Sequence, residues 1–290
     1  MILASMPDLP PRPLTTANAA FRESFYRRWG LENALVCGTS RDASYETHTQ
    51  TLSVKAAWGG RERYFLPERE VAVDDDHWLL LNHGRVYGSQ LRGLRPVTSL
   101  ALFFRPDLPG QVAAQRARAM PAWLDAADAM PTAPEFAEHL RPHGGAVSRR
   151  LGLLHREAMA GERSEDWLET QALLLMDELL GDGVPRAAPR SARTELQRRL
   201  RLAADFIDSC HAEPLTLDDM ARVACLSRYH FVRHFRALHG ITPYAYLLRK
   251  RARVARRLLA AGEADREAVS LAAGFANRFA LARALARYRD

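Results

Sequence analysis

Within nine residues, 228 to 236, stand Arg228, Tyr229, Val232, Arg233 and Arg236, side-chain types suited to reading a nucleic acid. An arginine fork matches the two acceptors on a guanine edge, and a tyrosine can pack on a thymine methyl or a sugar. Arg233 suits the first task and Tyr229 the second. Phe231, Phe235 and Leu238 recur at i, i+4 and i+7 and are expected to face a core, which turns the arginines, Tyr229 and Val232 away from it.

The elements that must position these groups are written in PLTLDDMARVACLSRYHFVRHFRALHG, residues 214–240. Thr216 with Asp219 forms a capping-box variant, and Leu217, Met220, Ala221 and Ala224 follow on one helical face. ACLS then breaks the helix, Ser227 caps the next one, and Gly240 stops it. Two short helices joined by a tight turn are the layout of a helix-turn-helix, whose second helix enters a DNA major groove. A single hairpin of this kind could equally be an ordinary helix pair with a solvated arginine face. The pattern occurs twice, however. Fifty residues on, Ser227 maps to Asn277, Tyr229 to Phe279, Phe231 to Leu281, Arg233 to Arg283, Phe235 to Leu285 and Leu238 to Tyr288. REAVSLAAGFAN precedes the second copy as a short apolar helix with a Gly-Phe turn. Between the copies, Thr242 is the N-cap, Pro243 the first helical residue and Gly262 the stop. A helix of roughly 18 residues spans about 27 Å, near the ~34 Å repeat of B-DNA, so one rod can hold two recognition helices in successive groove turns.

The stretch EPLTLDDMARVACLSRYHFVRHFRALHGITPYAYLLRKRARVARRLLAAG, with AVSLAAGF after it, resembles the DNA-binding domain of AraC/XylS-type transcriptional regulators. The skeleton LS..HF.R.F....G.TP..Y....R...A..LL carries the resemblance. It implies a seven-helix domain with two helix-turn-helix units. Matched onto the motif, the base-reading positions fall on Tyr229, Val232 and Arg233, with His230 beside them, and in the second unit on Arg278, Phe279 and Arg283. The second recognition helix, NRFALARALARYRD, departs from the family pattern. Alanines replace Ser/Gln-type positions, leucines replace aromatic anchors, and the closing Gly-x-Ser-Pro segment is absent. That unit is expected to grip phosphates through Arg278, Arg283 and Arg287 and to read bases poorly.

Charge agrees with this placement. The chain of 290 residues has a formal net charge of +7. Residues 190–290 hold 20 Lys and Arg against 10 Asp and Glu, whereas the first 189 hold 21 against 24. A basic carboxy-terminal segment beside a mildly acidic remainder is the footprint of a nucleic-acid module. Only Lys55 and Lys250 are lysines, so an arginine bias is also present, but it does not explain the asymmetry. Cys37, Cys210 and Cys225 have no paired spacing, which argues against a disulfide framework, a zinc site or the activated, zinc-supported cysteine of an alkyl-accepting repair protein. No run approaches a membrane helix, and MILASMPDLPPRPLTTAN lacks a signal-peptide pattern, so a cytoplasmic protein, nucleoid-associated when DNA-bound, is expected.

From about Ala34 to Arg105 the pattern changes to short β-type runs near ALVCG, TLSVKAA, RYFLP, EVAVD, HWLLLN, RVYGSQ and VTSLALFFR, which implies a sandwich or small barrel. VDDDHWLLLNHGRVYGS is similar to the mid-barrel hairpin of the cupin-like effector domain that regulators of this family often carry. Trp58, Tyr64, Trp78, Tyr87 and Phe103 could line a mouth that holds a small organic effector, although core packing is the commoner role for most such rings. His48, His77 and His83 with Glu46 or Glu62 include metal-ligand types, but no H-x-H occurs, and no metal or other cofactor is expected. From Leu108 to Gly181 the reading is helical, with an interruption at Pro121 and Ser164 as an N-cap. By resemblance these helices pack on the barrel and form a dimer contact; packing within one chain is the equal alternative.

The expected architecture is multi-domain α+β. A loose arm (1–30) precedes a cupin-like β-barrel with packed helices (31–182). A linker (183–193) then leads to an all-α domain with two helix-turn-helix units (194–290). The expected function is a sequence-specific transcriptional regulator that is not an enzyme. Its partners would be double-stranded DNA, a small-molecule effector and RNA polymerase, with a homodimer contact and no membrane. The competing readings are a cupin-type metalloenzyme activity in the first domain and a regulator with an impaired second helix-turn-helix.

Overall fold

The computed structural model describes residues 2–3, 31–117, 134–136, 140–160, 164–181, 190–263 and 265–288. Most of the expected arm, the Pro121 interruption and residues 183–189 of the expected linker lie outside them. The chain divides into two compact units; among the described residues the first holds the sheet and three helices and the second the remaining helices.

The first unit is an eight-stranded, nearly closed, barrel-like sheet. Its strands are β1 (Ile2–Leu3), β2 (Ala34–Thr49), β3 (Ser53–Trp58), β4 (Glu62–Leu66), β5 (Arg69–Val73), β6 (His77–Leu81), β7 (Val86–Phe103) and β8 (Leu140–Pro142). The pairing order is β1-β2-β7-β3-β6-β8, with β4 on β7 and β5 on β4; β1 pairs parallel with β2 and the other pairs are antiparallel. Alternation in β4 sends Glu62, Tyr64 and Leu66 inward and Arg63 and Phe65 outward. β3 is buried on both faces, so SVKAAW reads as a nearly continuous run rather than an alternating one.

Two expectations are corrected. RVYGSQ and VTSLALFFR form one strand, β7, which pairs with β2 up to Arg92, shifts register across residues 93–96 and pairs with β2 again from Val97. A Cβ at Gly93 would lie 2.9 Å from the Arg95 carbonyl oxygen, so the bend accepts glycine in place of a turn. Residues 140–142, expected to be helical, pair with β6, and the following helix starts only after Pro142 and Gly144.

The described helices of this unit are α1 (Leu108–Ala117), α2 (Gly145–Ala160) and α3 (Glu165–Leu179). Ser164 caps α3 by accepting from the Trp167 amide at 3.0 Å. Buried Arg150 of α2 reaches Glu178 and Gln171 of α3, and the Trp167 indole donates to Glu157. Asn33 donates to Glu169 at 2.6 Å and accepts from the Arg105 amide at 3.0 Å, which ties α3 to two strand ends.

The second unit is helical: α4 (Arg190–Cys210), α5 (Leu217–Val223), α6 (Arg228–His239), α7 (Pro243–Ala260), α8 (Arg266–Ala272) and α9 (Arg278–Arg287). α4 begins at Arg190, inside the expected linker.

The barrel interior is not purely apolar. Ala57, Tyr64, Leu79, Tyr87 and Val97 belong to its core, and Lys55 is buried there as well. Burial pushes the Lys55 ammonium down to about 7, with Glu62 pulling the other way. The unfolded chain returns this lysine to about 10.4. Between the two values the unfolded state holds a proton that the folded state lacks, so this group makes stability rise with pH from about 7 upward. Urea midpoints of the wild type and Lys55→Met between pH 6 and pH 9.5 check this. The difference is expected to move steadily in favour of the wild type as pH rises.

Candidate nucleic-acid interface

Both helix-turn-helix units are built from capped short helices. Thr216 accepts from the Asp219 amide at 3.2 Å and Asp219 accepts from the Thr216 amide at 3.1 Å, a complete capping box on α5. Ser227 caps α6 by accepting from the His230 amide, and Gly240, at φ 75°, ends it. Thr242 and Pro243 open α7, as their residue types require. Asp265 caps α8, and Asn277 caps α9 by accepting from the Phe279 and Ala280 amides.

The two turns close by the same pair of backbone bonds. The Cys225 amide donates to Arg222 and the Leu226 amide to Ala221; the Gly274 amide donates to Leu271 and the Phe275 amide to Ser270. Cys225 (φ 49°) and Gly274 (φ 86°) take the left-handed position. One residue, Ala276, then intervenes before Asn277, whereas Ser227 follows Leu226 directly. The second turn is thus one residue longer, and the fifty-residue offset holds for the recognition helices but not for the helices before them.

α6 buries a wider face than its periodicity indicates. Phe231 and Phe235 are fully buried, as expected. Tyr229, His230 and Val232 are buried too, while Leu238 is 36% exposed. The expectation that Tyr229 and Val232 turn away from the core is therefore corrected: α6 packs against α4, α5 and α7 at once, and a helix with three neighbours has little free circumference. The Tyr229 ring instead supports Arg233. Its hydroxyl accepts from the Arg233 Nη1 at 2.9 Å, and the guanidinium carbon lies 5.9 Å from the ring centroid. Arg233 is half-buried, and Arg228 and Arg236 are exposed. Arg228 makes a two-pronged ion pair with Asp218 of α5, and the bond from Arg228 holds the Asp218 carboxyl below its ordinary value.

In α9, Leu281 and Ala284 face the core with Val269, Ala273 and Phe275. Arg278, Phe279, Arg283 and Arg287 are exposed. Phe279, the counterpart of buried Tyr229, is 62% exposed, with the Arg278 guanidinium 5.0 Å from its ring centroid. α8 and α9 share a buried core with α7.

Two arginines of α7 that sequence reading passed over hold the units in place. Arg251 donates from Nε to the His211 carbonyl and from Nη2 to the Glu213 carbonyl, both at 2.6 Å. Arg256 donates to the Leu285 carbonyl at 3.3 Å and to that of Tyr288. The available signal was that Arg251 lies within the apolar stripe of α7, between Leu248 and Ala255.

In the barrel unit, Tyr64, Trp78, Tyr87 and Phe103 are core residues. Trp58 is half-buried and stacks on His155 of α2 at 4.5 Å. His77 Nδ1 lies 3.1 Å from Asp74, and Glu62 accepts from Ser99. Among the described residues, no three His, Cys, Asp or Glu side chains gather as a metal site, and no helix is long and apolar enough to cross a membrane.

Paired, N-capped bihelical units carrying exposed arginines define a helix-turn-helix protein. The family model described as a helix-turn-helix domain matches residues 220–289. With the capped helices α5 to α9, residues 220–289 form a helix-turn-helix domain. The uncharacterised HTH-type transcriptional regulator YbfI of Bacillus subtilis is 28% identical over 131 residues, 44% of this chain and 46% of that protein. The match thus spans about half the length of that curated relative. Among solved structures, the DNA-binding domain of AdpA in complex with a target DNA is 26% identical, over 32% of this chain and 81% of that chain, with a TM-score of 0.28. The AraC-like transcriptional activator CuxR is 14% identical over 79% and 76% of the two chains, with a TM-score of 0.33. ToxT of Vibrio cholerae is 8% identical over 86% and 92%, with a TM-score of 0.33.

A Cβ on Gly274 would lie 2.6 Å from the His211 carbonyl oxygen, 2.8 Å from the Ala212 Cα and 2.9 Å from Arg251 Nε. Gly274→Ala combines this overlap with left-handed strain and is expected to cost about 2–4 kcal/mol. Equilibrium urea unfolding measures the loss, and Cys225→Gly, where the left-handed strain is instead relieved, is expected to hold or gain stability.

Proposed function

We propose that the chain is a sequence-specific, DNA-binding transcriptional regulator whose first unit responds to a small-molecule effector. The observation that carries the reading is the pair of capped helix-turn-helix units on α7, with Arg228, Arg233 and Arg236 on one recognition helix and Arg278, Arg283 and Arg287 on the other. Arginine contacts with phosphates supply salt-dependent affinity, and base-edge contacts supply selectivity. Within this reading Arg233 is the base reader of the first unit. Buried Tyr229 is a positioning residue that holds its fork, and His230 and Val232 serve the packing of α6 rather than a direct contact. In the second unit Arg278, Arg283 and Arg287 bind phosphates, and exposed Phe279 offers a ring to a thymine methyl.

The helix-turn-helix family match and the likeness to an HTH-type transcriptional regulator of Bacillus subtilis support the same class. Contact with RNA polymerase, a homodimer formed through the first unit, and nucleoid association of a cytoplasmic protein that is not an enzyme belong to the same proposal. So do the domain limits at 31–182 and 194–290.

Footprinting of the full chain across genomic DNA is expected to return discrete sites; occupancy no greater than on random competitor would refute the proposal. On such a site, Arg233→Ala is expected to cost ~1–3 kcal/mol and to relax selectivity at one position. An equal loss on every DNA would make Arg233 a phosphate contact. Tyr229→Phe keeps the ring and removes the acceptor, so it is expected to lose about 1 kcal/mol on the matched site and little on random DNA. Titration of both variants on matched and mismatched duplexes measures this.

A further inference from the structure

The barrel interior contains a buried polar group that DNA recognition does not use: Lys55, Glu62, Tyr64, Tyr87 and Ser99, each 5% exposed or less. Lys55 Nζ donates to the Tyr87 hydroxyl at 2.9 Å and lies 3.7 Å from the Phe103 ring centroid. Ser99 donates to Glu62 at 2.5 Å, and Tyr64 bonds to the same carboxyl. Among the described residues no carboxylate forms an ion pair with Lys55. The amine sits enclosed against two aromatic rings and one hydroxyl; burial favours its neutral form, while the rings and Glu62 pull the other way.

The choice of residue is informative. Of 41 basic side chains, Lys55 and Lys250 are the only lysines. Arginine stays protonated wherever it is placed, whereas a desolvated lysine can give up its proton and become a nucleophile. Capture of an anion by charge fits the site less well, because the Glu62 carboxyl shares the interior. A neutral electrophile meets no such opposition. Tyr87 keeps its phenolic proton, since burial raises its pKa, and lies within reach of any group bonded to Nζ.

We propose that Lys55 captures a small neutral aldehyde or ketone as an imine inside the barrel, which sets the chemical class of the effector. The effector role rests on the regulator reading; the chemistry does not. The Nζ lone pair forms a bond to the carbonyl carbon, and the carbonyl π electrons move to oxygen, which takes a proton from Tyr87. The nitrogen then loses a proton, which restores Tyr87. The resulting carbinolamine hydroxyl is protonated and leaves as water while the second nitrogen proton is released, giving the C=N bond. One water is produced per imine, with no net proton change and no change in oxidation state.

The two-lysine composition makes the test direct. The full chain is incubated near pH 7 with acetone or benzaldehyde and sodium cyanoborohydride, which reduces an imine to a stable secondary amine. Intact mass and peptide mapping then locate the label. Lys55 is expected to be modified at least ~tenfold faster than Lys250, because far more of it is neutral at this pH. The rate is expected to fall below about pH 7 and to drop in Tyr87→Phe. Label confined to Lys250 or the amino terminus with both probes would overturn the proposal. So would a Lys55 rate no faster than that of Lys250. DNA binding is measured on the same unmodified preparation. Discrete DNA sites with an inert Lys55 would leave the regulator reading and remove the imine. A reactive Lys55 without DNA binding would keep the chemistry and remove its role as an effector site.

Discussion

The helical domain depends on guanidinium groups that bond to backbone carbonyls rather than to acids. Helix ends and loop corners leave carbonyls without partners, and α7 answers two such places. Arg251 bonds to the carbonyls of His211 and Glu213 between α4 and α5, and Arg256 to those of Leu285 and Tyr288 at the end of α9. The Arg251 site is more than half enclosed, and burial lowers its pKa. Neutral acceptors suit the task, because they leave the positive charge of the domain in place. The same α7 that links the two helix-turn-helix modules therefore fixes both to itself. Its other basic contacts, such as Lys250 with Asp208 of α4 at 3.0 Å, reinforce the first helix-turn-helix. Part of the excess of arginine in this region is thus architectural.

The second unit was well described by its amino acids wherever local chemistry decides conformation. Thr216, Ser227, Thr242 and Asn277 cap helices because their side chains can accept from the next turn, and Gly240 and Gly262 end helices because they accept positive φ. Periodicity was less informative for α6. It separates one face from another, but it does not count neighbours, and three neighbours buried Tyr229, His230 and Val232. The roles of Arg251 and Arg256 were hidden for a related reason: their partners are backbone atoms, which leave no trace in residue types. In the barrel, the strand runs were visible, but their joining into the long β7 was not, because Arg92-Gly93 reads as a turn when the resumption of pairing with β2 at Val97 is unknown.

The barrel shows a tension between packing and polarity. Four of the five aromatics considered for an effector mouth are core residues. Between them lie a lysine, a carboxyl and hydroxyls, all enclosed. Buried polar groups are costly unless each finds a partner, and here the partners are hydroxyls and rings rather than opposite charges. A barrel serving only as a scaffold could hold the same volume with leucine and valine at lower cost.

The extra residue, Ala276, separates two modules that otherwise share their turn chemistry. Because of it, and because Phe279 is outside where Tyr229 is inside, the halves are unlike. A duplex spanning both therefore meets a polar clamp with a head and a tail, and one copy of the chain suffices to give it a direction. Under the proposed regulator reading, the target expected of such a clamp is a non-palindromic sequence whose orientation relative to a neighbouring gene carries information.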